Sequence, residues 1–325
     1  MQTVLVTGGA GYIGSHVVKA LLDAGSKVVT FDNLSEGHRE AVIGGDFIQG
    51  DLSDLALLQS LFAKYEFDAV MHFAAHCYVG ESVEDPEKYY RNNIANFLNL
   101  MAMMRRRRVR YVIFSSTAAV YGNPTSVPIK ESHPLQPINP YGFTKFVIEN
   151  ILKDYSRAYD FHYVALRYFN AAGADPSGRL GESHDPETHL IPCLLAVASG
   201  RLSQAEIFGV DYPTADGTCV RDYIHVNDLA GAHLAALDHL FQEKENLIVN
   251  LGNSRGYSVK EIVQAAEQGT RRKIKVTQSP RRAGDPPVLV CDNSLATQQL
   301  RWAPKISSLD EIIQTAWNWE LHRRY

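Results

Sequence analysis

Gly8-Gly9-Ala10-Gly11-Tyr12-Ile13-Gly14 stands between an apolar run, Thr3–Thr7, and an amphipathic stretch near Ile13–Ala24. Glycines at that density allow a tight turn and let the backbone approach a phosphate. A helix that starts there adds positive potential at its N-terminus. The spacing therefore predicts a strand–turn–helix unit of a parallel α/β sheet, with Gly8, Gly11 and Gly14 cradling a dinucleotide pyrophosphate.

The next part of the chain keeps the same alternation. Apolar, β-branched runs at Lys27–Phe31, Asp46–Gln49, Ala69–Phe73, Val109–Ser115 and His162–Leu166 predict further strands. Amphipathic stretches at Leu55–Lys64, Pro86–Arg107 and Pro140–Tyr159 predict the helices between them. Strands of this kind are buried on both faces, so the expected fold is a doubly wound parallel Rossmann sheet. After about Phe169 the pattern changes, and Gly, Pro, His and Asp crowd Gly173–Pro192. Two units are expected: 1–170, binding the dinucleotide, and 171–325, a smaller α/β substrate domain with some chain crossing back.

Bulk properties exclude other classes. With 325 residues, 45% of them hydrophobic, the chain can bury a large core. A formal charge of −4 argues against a general nucleic-acid binder. Arg105–Arg108 reads as the end of a helix, where cations complement the macrodipole. No run of about 18 apolar residues predicts a membrane span, and the N-terminal segment reads as a strand, not as a leader. Cys77, Cys193, Cys219 and Cys291 form no CxxC pair, which suggests a reduced, cytoplasmic protein. No metal is expected: His184 and His189 are close in sequence but match no familiar ligand spacing.

The second strand ends at Asp32, some twenty residues after the glycine turn. A carboxylate there can accept bonds from ribose hydroxyls and would repel a 2′-phosphate, so NAD is expected over NADP. Asp51-Leu52 and Phe73-Ala74-Ala75 follow later strands at the same sheet edge and are candidates to flank the adenine and pyrophosphate. Asp51 could instead cap a helix, and Phe73 could be core.

Tyr141 and Lys145 are four apart and share a helix face. A free tyrosine titrates near ~10. The Lys145 ammonium and a positive nicotinamide would both favour the phenolate, which could then take a proton from a sugar hydroxyl. Phe114-Ser115-Ser116-Thr117 closes the fifth strand and puts the Thr117 hydroxyl at the same edge.

With these motifs the chain resembles the extended short-chain dehydrogenase/reductases, in their branch of UDP-sugar 4-epimerases. The resemblance spans nearly the whole length. It includes His72–Ala75 with Val79–Ser82, Ser115–Gly122, Leu166–Asn170 and the specific run Asp211–Val226. It implies interconversion of UDP-glucose and UDP-galactose: oxidation at sugar C4 by bound NAD, then hydride return to the other face. It implies Tyr141, Lys145 and Thr117 as catalytic residues, with Tyr12, Ile13, Asn33, Asn92, Ser115 and Tyr168 added to the cofactor contacts. On the substrate side it implies Thr117, Tyr141, Asn170, His189, Leu190, Phe208, Arg221, Arg282 and Asp285. The two arginines suit a pyrophosphate through paired hydrogen bonds, or else make surface salt bridges. A homodimer formed by pairing the helices around Asn92–Met104 and Pro140–Tyr159 is also implied, with Leu98, Met101, Phe146 and Ile151 as surplus apolar residues.

Three positions depart from the pattern. Thr117 replaces a common Ser but keeps the hydroxyl. Cys77 stands where some members place a cofactor-binding Lys. Leu289 stands where a bulky Tyr can restrict the sugar. An N-acetylated, pentose or uronate UDP-sugar remains an alternative substrate. A sugar-nucleotide dehydratase would need an acidic pair where this chain has Ala118 and Ala119. A non-enzymatic NAD sensor or scaffold is the rival from another class.

Overall fold

A computed structural model describes residues 2–282 and 285–325. In chain order, β1 (Thr3–Thr7), α1 (Tyr12–Asp23), β2 (Lys27–Asp32), β3 (Asp46–Gln49), α2 (Leu55–Lys64) and β4 (Ala69–His72) come first. Short helices α3 (Val79–Glu84) and α4 (Pro86–Tyr89) precede α5 (Asn96–Arg107), β5 (Tyr111–Thr117), α6 (Pro140–Tyr159) and β6 (His162–Tyr168). The rest comprises β7 (Asn170–Ala172), α7 (Leu190–Ser199), β8 (Ala205–Phe208), β9 (Val220–His225) and α8 (Val226–Gln242). It continues with β10 (Leu247–Leu251), β11 (Gly256–Ser258), α9 (Val259–Thr270), β12 (Val276–Ser279), β13 (Val288–Leu289), α10 (Ser294–Leu300) and α11 (Leu309–Leu321).

Seven strands form one parallel sheet in the order β10-β6-β5-β4-β1-β2-β3. The six expected strands are all in it, and the fold class is the expected doubly wound α/β. Val4, Leu5, Val6, Val70, Met71, Val112, Ile113 and Val164 are fully buried, as strands covered on both faces require. The seventh strand was not foreseen. The chain leaves the sheet after β6, builds part of a second layer, and returns through α8, which packs on α1, to add β10 beside β6. The second layer has its own core, in which Leu194, Leu195, Ile262, Ile312, Ile313 and Trp317 are buried between α7, α9 and α11.

The expected helix Pro86–Arg107 is divided. A π-helical segment, Tyr90–Ala95, joins α4 to α5. There the buried Asn93 side chain donates to the His76 carbonyl and the Thr144 hydroxyl, and accepts from the His76 amide. A wider turn that serves such side-chain bonds is how π segments persist inside α-helices. The arginine run ends α5 as expected, with Arg108 as a left-handed cap.

Candidate active site

Strand order reverses between β1 and β4, and the crevice at such a switch point is where doubly wound sheets bind ligands. Gly8 lies at its lip with φ +74. A Cβ there would sit 2.4 Å from the Ala74 nitrogen, and one on Gly14 would sit 2.2 Å from the Gly8 carbonyl oxygen. Only glycine lets the turn pass this close to the end of β4. Helix α1 starts directly behind the turn. Its N-cap, Gly11, offers no side-chain cap, and no acidic residue occupies the first turn. Free N–H groups and the helix dipole therefore face the crevice, an anion site without a competing carboxylate.

Two adjoining cavities hold every cofactor candidate. One is lined by Gly8, Gly11, Asp32, Asn33, Asp51, Leu52, Phe73, Ala74, Ala75 and Asn92. The Asp32 carboxylate accepts from the Ala10 amide at 2.9 Å and the Leu34 amide at 2.8 Å, which fixes it at the strand end. Burial raises its proton affinity, against those two bonds. Asp51 does not cap α2; Asp54 does, accepting from the Leu57 amide at 2.9 Å. Asp51 instead accepts from Asn33 at 2.7 Å. Phe73 is half-buried against His233 and borders both cavities.

The second cavity is lined by Tyr12, Ile13, Gly14, Ser115, Thr117, Tyr141, Lys145, Tyr168 and Asn170, again with Gly8 and Gly11. Helix α6 brings Tyr141 and Lys145 there because Asn139 caps it, accepting from the Gly142 amide at 2.8 Å, and Pro140 sets its first turn. The buried Lys145 Nζ donates to the Ser115 carbonyl at 2.8 Å and lies 5.9 Å from the Tyr141 ring centre. Burial lowers the Lys145 pKa to about 8. Burial also raises the Tyr141 pKa, with the Thr117 hydroxyl bond working the other way. The expected phenolate is thus not made by Lys145 alone, because desolvation outweighs what the chain's own groups supply.

A third cavity opens from the same wall and joins Thr117, Tyr141 and Asn170 to Arg221, Asp285 and Leu289. Arg221 pairs with Asp285 at 3.2 Å. Arg282 stacks over the Phe208 ring at 3.9 Å, but neither lines these cavities. Leu190 packs in the second-layer core. His189 lines the second cavity beside Glu182 and His184, two residues not expected there. Cys77, Tyr78 and Glu36 also line it, and Tyr78 donates to Glu36 at 3.0 Å. Of these, only Cys77 was singled out in the sequence, as a departure from the family pattern; Tyr78 beside it on the loop after β4, and Glu36 on the loop after β2, carried no motif.

Residues 4–252 match the NAD dependent epimerase/dehydratase family. The chain belongs to that family. Within it, the chain is 49% identical over 318 residues to a UDP-glucose 4-epimerase of Halalkalibacterium halodurans, covering 98% of this chain and 95% of that one. It superposes with a TM-score of 0.94 on a Brucella ovis UDP-glucose 4-epimerase in complex with NAD, at 54% identity and 98% coverage of both chains. The Bifidobacterium longum UDP-glucose 4-epimerase, in complex with NAD+ and UDP, gives a TM-score of 0.95 at 39% identity, covering 99% of this chain and 98% of that one. The resemblance read from the motifs is borne out by these family relatives.

Proposed function

We infer that this chain interconverts UDP-glucose and UDP-galactose by inverting sugar C4, with NAD as its resident cofactor. The observation that carries this is the meeting of the Tyr141 phenol, the Thr117 hydroxyl and the Lys145 ammonium on a wall shared with the glycine turn. The glycine cradle, the open start of α1 and the buried Asp32 carboxylate fit a dinucleotide without a 2′-phosphate. Bound there, NAD supplies a hydride acceptor able to give back what it takes, so no net oxidation is required.

Tyr141 is the proton acceptor for the 4-hydroxyl, and Thr117 orients the same oxygen. Lys145, held by Ser115, fits the nicotinamide ribose. Arg221 suits the substrate diphosphate by paired N–H donors, and Asp285, its present partner, holds the fork in place. Asn170 and His189 border the space left for the sugar. Purified protein given UDP-galactose is expected to yield UDP-glucose without added reductant, and acid-denatured protein is expected to release one equivalent of NAD. Release of NADP would overturn the reading of Asp32.

The sugar must present both faces, so its walls can make few fixed contacts, and size near the 2-position becomes the discriminating quantity. Leu289 lines that wall with Tyr141 and Thr117. Some activity on UDP-N-acetylglucosamine is therefore expected. Apolar pockets resolve small size differences by only ~1–3 kcal/mol, so Leu289→Tyr should shift the kcat/KM ratio of the two sugars toward the non-acetylated one by about 10-fold or more. An unchanged ratio would place the discriminating wall elsewhere.

Assembly is proposed as a twofold dimer through α5 and α6. Leu98 is exposed on α5, and Tyr90 and Phe143 form an exposed edge-to-face pair 6.3 Å apart, with Phe146 against Phe143. Met101 does not belong to this surface: it is fully buried in the chain's own core. Light scattering at micromolar concentration is expected to give twice the chain mass. No helix among the described residues is long and apolar enough to cross a membrane. A reduced, cytoplasmic setting is proposed from the four unpaired cysteines.

A further inference from the structure

Four side chains that the reaction above does not use as a group converge on the cavity wall. Glu182, His184, Glu187 and His189 each offer one donor atom, and these atoms lie within 4.8 Å of one another. His189 Nδ1 is 2.8 Å from Glu182 Oε1 and 3.3 Å from Glu187 Oε1. His184 Nδ1 is 3.5 Å from Glu182 Oε1 and 3.4 Å from Glu187 Oε2. A tetrahedral ion with ligands at about 2.0–2.1 Å has donor–donor edges of about 3.3 Å. The His–carboxylate separations here, in which Glu187 presents Oε1 to His189 and Oε2 to His184, run from 2.8 to 3.5 Å.

Two further facts separate this cluster from an ordinary ion-pair network. His189 Nδ1 is buried and makes no directed hydrogen bond among the described residues, although Glu182 Oε1 is 2.8 Å away. The oxygen is close but off the N–H axis, a relation that suits two atoms facing a common third one. In addition, the whole segment 173–189 contains no helix or strand. Its backbone gains little from regular hydrogen bonds, and a cross-link between four of its side chains would replace them.

We propose that Glu182, His184, Glu187 and His189 form a zinc-class divalent cation site that fastens the 173–189 segment to the cavity wall. Two imidazole nitrogens and two carboxylate oxygens suit that class, whereas calcium and magnesium take six or more oxygens. Two carboxylates with two neutral imidazoles also balance a divalent charge. Glu182, His184 and His189 line the cavity directly, so the ion would set the position of that wall.

The test uses untagged full-length protein, stripped with a chelator and titrated with Zn²⁺ or Co²⁺. One equivalent is expected to bind, Co²⁺ is expected to give the intense visible absorption of a tetrahedral site, and the thermal midpoint is expected to rise by about 5 °C. His184→Gln and Glu187→Gln should each weaken binding by at least about tenfold, while His133→Gln, on an exposed loop, should bind as the parent does. The proposal fails if no equivalent binds, if His184→Gln binds like the parent, or if Mg²⁺ or Ca²⁺ competes on equal terms. If the variants do not fold, the Co²⁺ spectrum of the parent decides, and a weak octahedral spectrum overturns the site. None of these readouts depends on epimerisation.

Discussion

Tyr141→Phe is expected to slow epimerisation by about 10²–10⁴-fold, the usual share of a positioned acid or base, while UDP binding persists. The phenyl ring keeps its place at the start of α6, so only the proton acceptor is lost. The loss should fall on kcat. Thr117→Val should act in the same direction with a smaller effect, since Thr117 adjusts Tyr141 and aligns the oxygen without itself taking the proton. The structure adds a sharper form of the expectation. Burial raises the Tyr141 pKa, and Lys145 donates to Ser115. A working phenolate therefore depends on positive charge that arrives with the cofactor. In stripped protein, ultraviolet titration should show Tyr141 ionising above the ordinary phenol range. Near-normal turnover in Tyr141→Phe would remove it from the mechanism.

The largest stability effect is expected at Glu149. Its carboxylate is fully buried on α6 and accepts two bonds from Arg167 of β6, at 2.8 and 2.6 Å, and one from the Ser116 hydroxyl at 2.6 Å. Arg167 also donates to the Tyr121 hydroxyl, which donates to Asn250. Glu149→Ala leaves a guanidinium buried without its counter-charge, and losing one partner of a buried pair costs about 3–5 kcal/mol. Urea midpoints should show that loss. The double variant Glu149→Leu/Arg167→Met should recover most of it, because no unpaired charge remains. If Glu149→Ala stays within about 1 kcal/mol of the parent, well below that range, the pair does not hold α6 to the sheet.

What the sequence made legible follows from how local the signal is. β1 falls on its expected residues because a strand buried on both faces must be apolar throughout, and the glycine turn then fixes what comes next. β3 also falls on its expected residues, but as an edge strand whose Asp46 and Gln49 are exposed. Helix α6 was legible from the amphipathic spacing of Pro140–Tyr159, while its Asn139 cap emerged only in the structure. Most cofactor candidates line the cavities because they sit at or just after strand ends, which the sheet places; Asn92, Tyr141 and Lys145 come instead from helical segments packed along the same edge. Leu247–Leu251 was not assigned to any sheet, because a short apolar run carries no mark of the strand it will join. The π segment at Tyr90–Ala95 depends on Asn93 meeting Thr144, a contact between helices far apart in sequence. For the cluster of Glu182, His184, Glu187 and His189, the sequence showed His184 and His189 to be close but in no familiar ligand spacing, and the irregular path of 173–189 is what turns the four side chains toward one another.

The detour between β6 and β10 bears on how the molecule comes into being. Tyr163, on β6, binds a partner 83 residues downstream at the edge where β10 joins. During synthesis the wall carrying Thr117 and Tyr141 therefore stands beside a bare β6 edge until the second layer and α8 have emerged. Contacts of such long range slow folding, and an exposed strand edge invites pairing with other chains. Nor can the two layers be traded as separate modules by a cut after β6, since the seven-stranded sheet takes β10 from the second half of the chain. A crossover between relatives would have to fall before β1 or after β10 to leave the sheet whole.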